Sequence, residues 1–413
     1  MNRALENLKA RGFYAQCTDP DSLSKLMDTG PVVFYVGCDP TGTSLHIGHM
    51  VPFFAYRHLR DAGHKGIALL GGGTARIGDP SGKNEIRKML SYEELDRNTE
   101  SIRKQLDRFL GFDGDSARSA NNRDWLANLN YIDFLRDIGS HFSVNRMLGF
   151  EAYRIRMETG LSFIEFNYQL LQSYDFLELY RRYGCALQIG GDDQWGNIVA
   201  GTDLIRRVEG AETFGLTFPL VTTADGKKMG KTEKGAVFLD RDLCSPYDFF
   251  QYWRNVQDAD LKRFLLMFTF LPIDEIETLT EKGANPNEAK ERLAWEVTAL
   301  IHGKDEAGKA LSGAQAAFGG GGDRSAMPTA EMGRAKFEAG YNIVDLFTET
   351  GLCPTKSEAR RLLQQGGAFV SDRNGTLESV SDPAARIGTD RLDKTGELIL
   401  RAGKKRYCRV IAV

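Results

Sequence analysis

A chain of 413 residues, 42% apolar and 26% charged, is long enough for roughly two or three domains with cores of their own, which excludes a disordered, collagenous or disulfide-scaffold protein. Fifty-three Lys and Arg against 56 Asp and Glu leave a net charge of −3, so a wholly basic nucleic-acid coat is excluded while a local basic module is not. Forty-four glycines are more than the usual ~7% predicts, and their positions carry information.

The chain opens on MNRALENLKARGFYAQ, which predicts a helix over 2–11 and lacks the continuous apolar run of a signal peptide. No segment reaches the ~20 apolar residues that span a bilayer. The six cysteines, none closer than 21 residues to the next, form no Cys-x-x-Cys pair and read as reduced thiols. A cytoplasmic chain without membrane contact is expected. PVVFYVG at 31–37 predicts a buried parallel strand, a helix follows from about Leu45 to Asp61, and KGIALLGGG at 65–73 predicts a second strand. Together they make a βαβ unit. A charged helix is predicted over 92–110, and residues 120–200 mix helices with a strand at 185–190 that runs into GGDDQWGN. The pattern closes near FPLVTT at 218–223. From Pro246 to about Leu311 the sequence is helical, and FGGGGDRSAMPT at 318–329 reads as a flexible connection. Thr355 and Glu358 form a capping box before a last helix, and short strands end the chain.

Two glycine-rich turns follow the first two strands, where open parallel sheets bind ligands. In the first, Thr43 or Ser44 can cap the coming helix, and His46 and His49 share one face of its first turn. The unpaired N–H groups there favour an anion, imidazoles can donate to it, and Gly48 leaves room for something bulky against the backbone. Pro52 bends the helix or belongs to an irregular start. A zinc half-site is disfavoured because neither Cys nor carboxylate stands at ligand spacing, so no protein metal site is expected. A G-x-G-x-x-G fingerprint is missing. The segments 78–83 and 226–232 fail the P-loop test, having three residues where four must separate Gly from Gly-Lys.

HIGH at 46–49 and KMGKT at 228–232 together resemble the two signatures of class I aminoacyl-tRNA synthetases. Gly230 and Thr232 replace the serines of the KMSKS consensus, as in the bacterial and organellar tyrosyl branch. FYVGCDPTGTSLHIGH at 34–49, IGDPSGK at 77–83, EFNYQLLQSYDF at 165–176 and QIGGDDQWGN at 188–197 are similar to tyrosyl-tRNA synthetases, in the expected order. The resemblance covers essentially the whole chain, including a tail like an S4-type RNA-binding domain.

This resemblance implies an α/β fold. A Rossmann-like catalytic domain would occupy 1–225 with an insertion around 120–160, followed by a mobile signature loop and helical domain at 226–317. A glycine-rich linker and connector at 318–344 would lead to an S4-like α+β domain at 345–413. The implied partners are L-tyrosine, ATP (with Mg²⁺ accompanying it), tRNA(Tyr) and a second copy of the chain. Tyr35 and Asp175 would hold the tyrosine hydroxyl, and Tyr168, Gln172 and Asp79 its ammonium. Asn122, Trp125 and Gln194 would line the pocket. Gly37, Asp39, Thr41, His46, His49, Gly191, Asp193, Leu220 and Val221 would surround ATP. Lys83, Arg87, Lys228, Lys231 and Thr232 would meet its polyphosphate. Family members often carry a cysteine directly after the strand tyrosine, near the ribose; here Val36 stands there.

The residue types suit that chemistry. Adenylate formation needs no strong base, because the amino-acid carboxylate is already ionised; its difficulty is the negative charge that gathers as pyrophosphate leaves. Residues 353–413 hold twelve Lys and Arg against seven Asp and Glu, five positive charges in excess inside a net acidic chain. Arg360, Arg361, Lys404, Lys405 and Arg406 are the expected phosphate-contacting face. A tryptophanyl enzyme is the rival within the class, and a synthetase-like RNA-binding protein that no longer aminoacylates is the rival outside enzymes.

Overall fold

The computed structural model describes residues 1–79, 90–224, 226, 229–232, 235–317, 327–403 and 406–413, with the backbone alone for Ala152, Thr159, Lys231 and Thr232. Two compact units are present: Met1–Leu243 with Gln257–Pro286, and Cys244–Val256 with Asn287–Val413.

The first unit is built on five parallel strands: β1 (Val33–Cys38), β2 (Lys65–Leu70), β3 (Ala117–Asn121), β4 (Cys185–Gly191) and β5 (Phe214–Phe218). Their spatial order is β3-β2-β1-β4-β5, so the chain builds outward from β1 in one direction and then in the other. The crevice between β1 and β4 is therefore the switch point at which such sheets bind ligands. The strands read as continuous apolar runs because both faces are covered; β5 is buried throughout and β2 nearly so.

Helices α1 (Arg3–Ala10), α2 (Pro20–Thr29), α3 (Ile47–Asp61) and α4 (Tyr92–Leu110) belong to the first half. Short helices α5 (Arg123–Leu126), α6 (Tyr131–Asp137), α7 (Val144–Leu148) and α8 (Glu151–Thr159) lead to the long α9 (Phe163–Tyr183), and α10 (Trp195–Val208) follows β4. A two-residue hairpin pairs β6 (Lys231–Thr232) with β7 (Gly235–Ala236). The cap of α3 differs from expectation. The helix starts at Ile47, too late for Thr43 or Ser44, and His46 is its N-cap. Pro52 stays inside this helix.

Of the helices that follow, α11 (Pro246–Arg254) belongs to the second unit, and α12 (Asp258–Phe268) and α13 (Ile273–Leu279) to the first. The Arg11 guanidinium, buried, donates to the carbonyls of Leu266, Thr269 and Leu271, and so satisfies the C-terminal end of α12.

In the second unit, α14 (Pro286–His302) and α15 (Lys304–Ala317) precede an α+β fold. β8 (Thr329–Met332), α16 (Arg334–Glu338), β9 (Tyr341–Asn342), α17 (Ile343–Glu349) and α18 (Lys356–Gln364) come first. Then follow β10 (Ala368–Ser371), β11 (Leu377–Ser379), β12 (Arg386–Ile387), β13 (Glu397–Ala402) and β14 (Arg406–Ala412). The main sheet has the order β11-β10-β13-β14-β8, with β8 running parallel to β14. Its apolar core joins Phe337, Leu346, Phe347, Leu363, Val370 and Leu400. The Thr355 side chain accepts from the Glu358 N–H and caps α18, which is one half of the expected capping box. Among the described residues no helix is long and apolar enough to cross a membrane.

Candidate active site

Every strand of the first sheet sends residues to the same end. Tyr35 lies in β1 and Asp39 just beyond it; Thr74 follows β2, Asn122 follows β3, Asp192–Gln194 follow β4, and Leu220 follows β5. Helix α9 adds Tyr168, Gln172 and Asp175 from the side.

A chain of hydrogen bonds links these groups. Trp125 Nε1 donates to Asp175 Oδ1 at 2.8 Å, and Asn122 Nδ2 donates to Asp175 Oδ2 at 2.9 Å. Asn122 Nδ2 also donates to Thr74 Oγ1 at 2.9 Å, and its Oδ1 accepts from the Gly73 N–H at 2.7 Å. Thr74 Oγ1 donates to Asp39 Oδ1 at 2.8 Å, and Tyr168 Oη donates to Asp39 Oδ2 at 3.0 Å. A second cluster stands beside it. Gln194 Nε2 donates to Asp79 Oδ2 at 2.8 Å, while Asn197 Nδ2 donates to Gln172 Oε1 at 3.0 Å and to Gln194 Oε1 at 3.2 Å. Thr74 and Asn197 belong to this network of candidate residues, and sequence reasoning misses both. Both sit inside glycine-rich motifs, but nothing in their spacing points to these partners.

The floor of the crevice is polar and buried. Tyr35 is 1% exposed, and its hydroxyl has no hydrogen-bond partner among the described residues. Burial, and then the neighbouring Asp175, push the Tyr35 phenol well above its ordinary range, so it remains an O–H donor. Burial pushes the Asp175 carboxyl up to about 8, although Asn122 and Trp125 pull it the other way. A phenol without a partner beside a carboxyl fixed on both oxygens is arranged to receive one more hydroxyl.

At the head of α3 the two histidines cap each other's turn. His46 Nδ1 accepts from the Gly48 N–H at 3.1 Å and His49 Nδ1 from the His46 N–H at 3.3 Å, with the rings stacked at 3.7 Å. With Nδ1 accepting, the proton of each neutral ring sits on Nε2, which becomes the donor for an anion at the helix start. The room at Gly48 is taken by this chain's own backbone: a Cβ there would stand 2.8 Å from the Met229 carbonyl oxygen. Gly230, at φ +80°, lies against the same turn, its would-be Cβ 3.0 Å from the Gly48 nitrogen. The segment is tied down by Met229 N–H to Val221 O, Val237 N–H to Gly230 O, and Ile47 N–H to Val237 O, at 3.1, 2.8 and 3.1 Å.

Gly37, Thr41 and His49 are exposed around this mouth, Gly191, Asp193 and Val221 half-buried, and Leu220 exposed. Lys83, Arg87, Lys228, Lys404 and Lys405 lie outside the described residues. Arg360 and Arg361 are exposed on α18, and Arg406 Nη1 donates to the Leu352 carbonyl at 2.7 Å. No group of three His, Cys, Asp or Glu among the described residues is placed to hold a metal ion.

The chain matches the family of class I tRNA synthetases (W and Y) over residues 27–319. It is 65% identical over 411 residues to a tyrosine--tRNA ligase of Treponema denticola, covering 100% of both chains. A tyrosine--tRNA ligase of Caldanaerobacter subterraneus is 51% identical over 408 residues, with 98% of each chain covered. Among solved structures, a C-terminally truncated mitochondrial tyrosyl-tRNA synthetase of Aspergillus nidulans aligns with a TM-score of 0.69 and 31% identity, over 76% of this chain and 93% of that one.

Proposed function

The chain belongs to the class I tyrosyl-tRNA synthetases, and from that premise we propose how its residues divide the work of joining tyrosine to its tRNA. It is a tyrosine--tRNA ligase: tyrosine and ATP give tyrosyl-adenylate and pyrophosphate, and the tyrosyl group then passes to the 3′ end of tRNA(Tyr).

The observation that carries the assignment is the buried Tyr35 hydroxyl without a partner beside Asp175. These two groups take the substrate's phenolic hydroxyl. Asn122 and Trp125 hold Asp175 still. Tyr168, Gln172 and Asp79, with Gln194 steadying Asp79, take the ammonium. Phenylalanine would leave the buried Tyr35 hydroxyl unpaired and offer Asp175 nothing beyond Asn122 and Trp125, and tyrosyl-tRNA synthetases are themselves the standard example of the resulting rejection, which for the family amounts to about 10⁵.

With tyrosine held at both ends, its carboxylate faces the α-phosphate of an ATP seated over the β1–β4 crevice among Gly37, Asp39, Thr41, Gly191, Asp193, Leu220 and Val221. The carboxylate oxygen bonds to phosphorus as the bond to the pyrophosphate oxygen breaks. His46 and His49, donating from Nε2, answer the charge that gathers on the polyphosphate, together with Lys83, Arg87, Lys228, Lys231 and Thr232. Mg²⁺ arrives with ATP, since this ion binds mainly through substrate phosphates and its own waters. The exposed Arg360 and Arg361, together with Lys404, Lys405 and Arg406, contact tRNA phosphates. The domain limits expected from the sequence, with catalytic and RNA-binding ends, are retained in this reading, as is a cytoplasmic setting.

A homodimer is part of the reading. Tyr131, Ile132, Val144, Ile155, Phe163 and Ile164, all on α6–α9, are 47–70% exposed, and a partner subunit would cover them. Sedimentation at micromolar concentration should give a dimer that Ile132→Lys weakens; a strict monomer contradicts it. The activity itself is tested by ATP–pyrophosphate exchange across the amino acids. Tyrosine should stimulate exchange far above phenylalanine and tryptophan, and equal stimulation would overturn the hydroxyl clamp.

A further inference from the structure

Ahead of the tyrosine-binding helix stands an ion pair that the reaction does not use directly. Arg156 on α8 is 2% exposed and Glu165 on α9 is 7% exposed, the deepest buried ion pair among the described residues. Arg156 Nη2 lies 2.9 and 3.1 Å from the two Glu165 carboxylate oxygens and 3.1 Å from the Gly160 carbonyl in the connection between the helices. Glu165 is also the N3 residue of a capping box: its Oε2 accepts from the Ser162 N–H at 3.0 Å and from the Ser162 hydroxyl at 2.8 Å, while Ser162 Oγ accepts from the Glu165 N–H at 3.3 Å.

Such a pair is poor support for stability, because removing two charges from water costs about as much as their attraction returns. Its better-attested use is to fix a register. What it fixes here is legible from spacing. Glu165, Tyr168 and Gln172 stand at i, i+3 and i+7, on one face of α9. Tyr168 reaches Asp39 and Gln172 meets Asn197, so any slide or rotation of the first turns moves both together. Tyr153, on the same short helix as Arg156, is buried and donates its hydroxyl to the Phe166 carbonyl at 3.2 Å, a second tie between α8 and the same turn. The capping hydrogen bonds and Arg156 hold the Glu165 carboxyl below its ordinary value despite burial, so the pair is charged at neutral pH.

We infer that Arg156 is a positioning residue for tyrosine: by clasping Glu165 it sets the rotation and height of α9 and hence the ammonium contacts of Tyr168 and Gln172. The inference rests on the reading that these two residues hold the ammonium.

The test is a double variant, Arg156→Met with Glu165→Gln, which removes both charges together and leaves no unpaired buried charge, while glutamine keeps the cap. The full-length protein is checked for a cooperative melt, and tyrosine and ATP are titrated separately in pyrophosphate exchange. The KM for tyrosine should rise on the order of tenfold while the KM for ATP stays within about twofold, the split expected of lost amino-acid binding alone. A folded double variant with an unchanged tyrosine KM, or with both KM values raised equally, overturns the inference. Arg156→Lys keeps Glu165 paired and serves if the double variant does not fold; it should raise the tyrosine KM alone, by a smaller factor, and no change overturns the inference. Tyr168→Phe is run beside them. If it raises the tyrosine KM and the clasp variants do not, the clasp fails alone; if it too is silent, the ammonium reading fails and takes the clasp with it.

Discussion

Asp175 carries a contradiction that pH can expose. It is 2% exposed and its carboxyl titrates at about 8, against roughly 3.9 in an unfolded chain. Between those values the native state keeps a proton that the unfolded state releases. The folded chain then binds more protons, so unfolding becomes easier as pH rises through this window. The favourable share is complete below about pH 4 and gone by about pH 8. Asp175→Asn cannot titrate. Relative to the native protein its stability should therefore gain with rising pH, by on the order of 4 kcal/mol between pH 5 and 8. Parallel melts of the two proteins across that range measure it, and a flat difference would show that Asp175 ionises normally. In the proposed reading the cost of a buried carboxyl is tolerated because this group, fixed by Asn122 and Trp125, tells a phenol from a phenyl ring together with Tyr35.

At the scale of elements, the two signature segments meet through glycine. Gly230 stands at φ +80°, a conformation L side chains rarely adopt, and faces the Gly48 nitrogen closely enough that a Cβ would be 3.0 Å away. Gly230→Ala should therefore lift the segment from the start of α3 and slow adenylate formation about 10- to 100-fold, with little change in tyrosine binding, because the phenol and ammonium contacts lie on other elements. Rapid-quench measurement of adenylate, beside equilibrium binding of tyrosine, separates the two; equal losses would contradict it. The same elements show where sequence reasoning reaches and where it stops. Helix α4 agrees with its expected limits because Ser91 and Glu94 announce its start and Gly111, left-handed, its end. The start of α3 departs from expectation because histidine is an unusual N-cap, and a rule built on Ser and Thr looks too early. The link from Asn122 to Asp175 spans 53 residues, and the parallel pairing of β8 with β14 joins segments still farther apart; no local periodicity encodes either. The motifs single out Tyr35, Asp39, Asn122, Gln172 and Asp175, but only the fold shows Thr74 and Asn197 hydrogen-bonded among them.

Across the whole molecule, charge is divided rather than balanced. The last 61 residues carry five positive charges in excess while the chain as a whole is at −3, so the remainder is acidic and a polyanion is steered toward one end. Not all of its cations are available: Arg391 pairs with Glu378, Arg409 with Glu397, and Lys356 with Asp345. Arg360 and Arg361, adjacent on α18 and exposed, are the cations best placed to displace counterions. If each neutralises a phosphate, log Kd for tRNA(Tyr) against log salt has a slope of about 0.9 per contact, and Arg360→Gln with Arg361→Gln should lower that slope by about 1–2. Tyrosine-dependent pyrophosphate exchange, which needs no tRNA, should be unchanged in the same variant. Filter binding at several salt concentrations reads the slope. An unchanged slope would make this face a solvated surface with no part in recognition. A lowered slope with intact exchange would place RNA affinity in the basic tail and leave amino-acid chemistry to the acidic body.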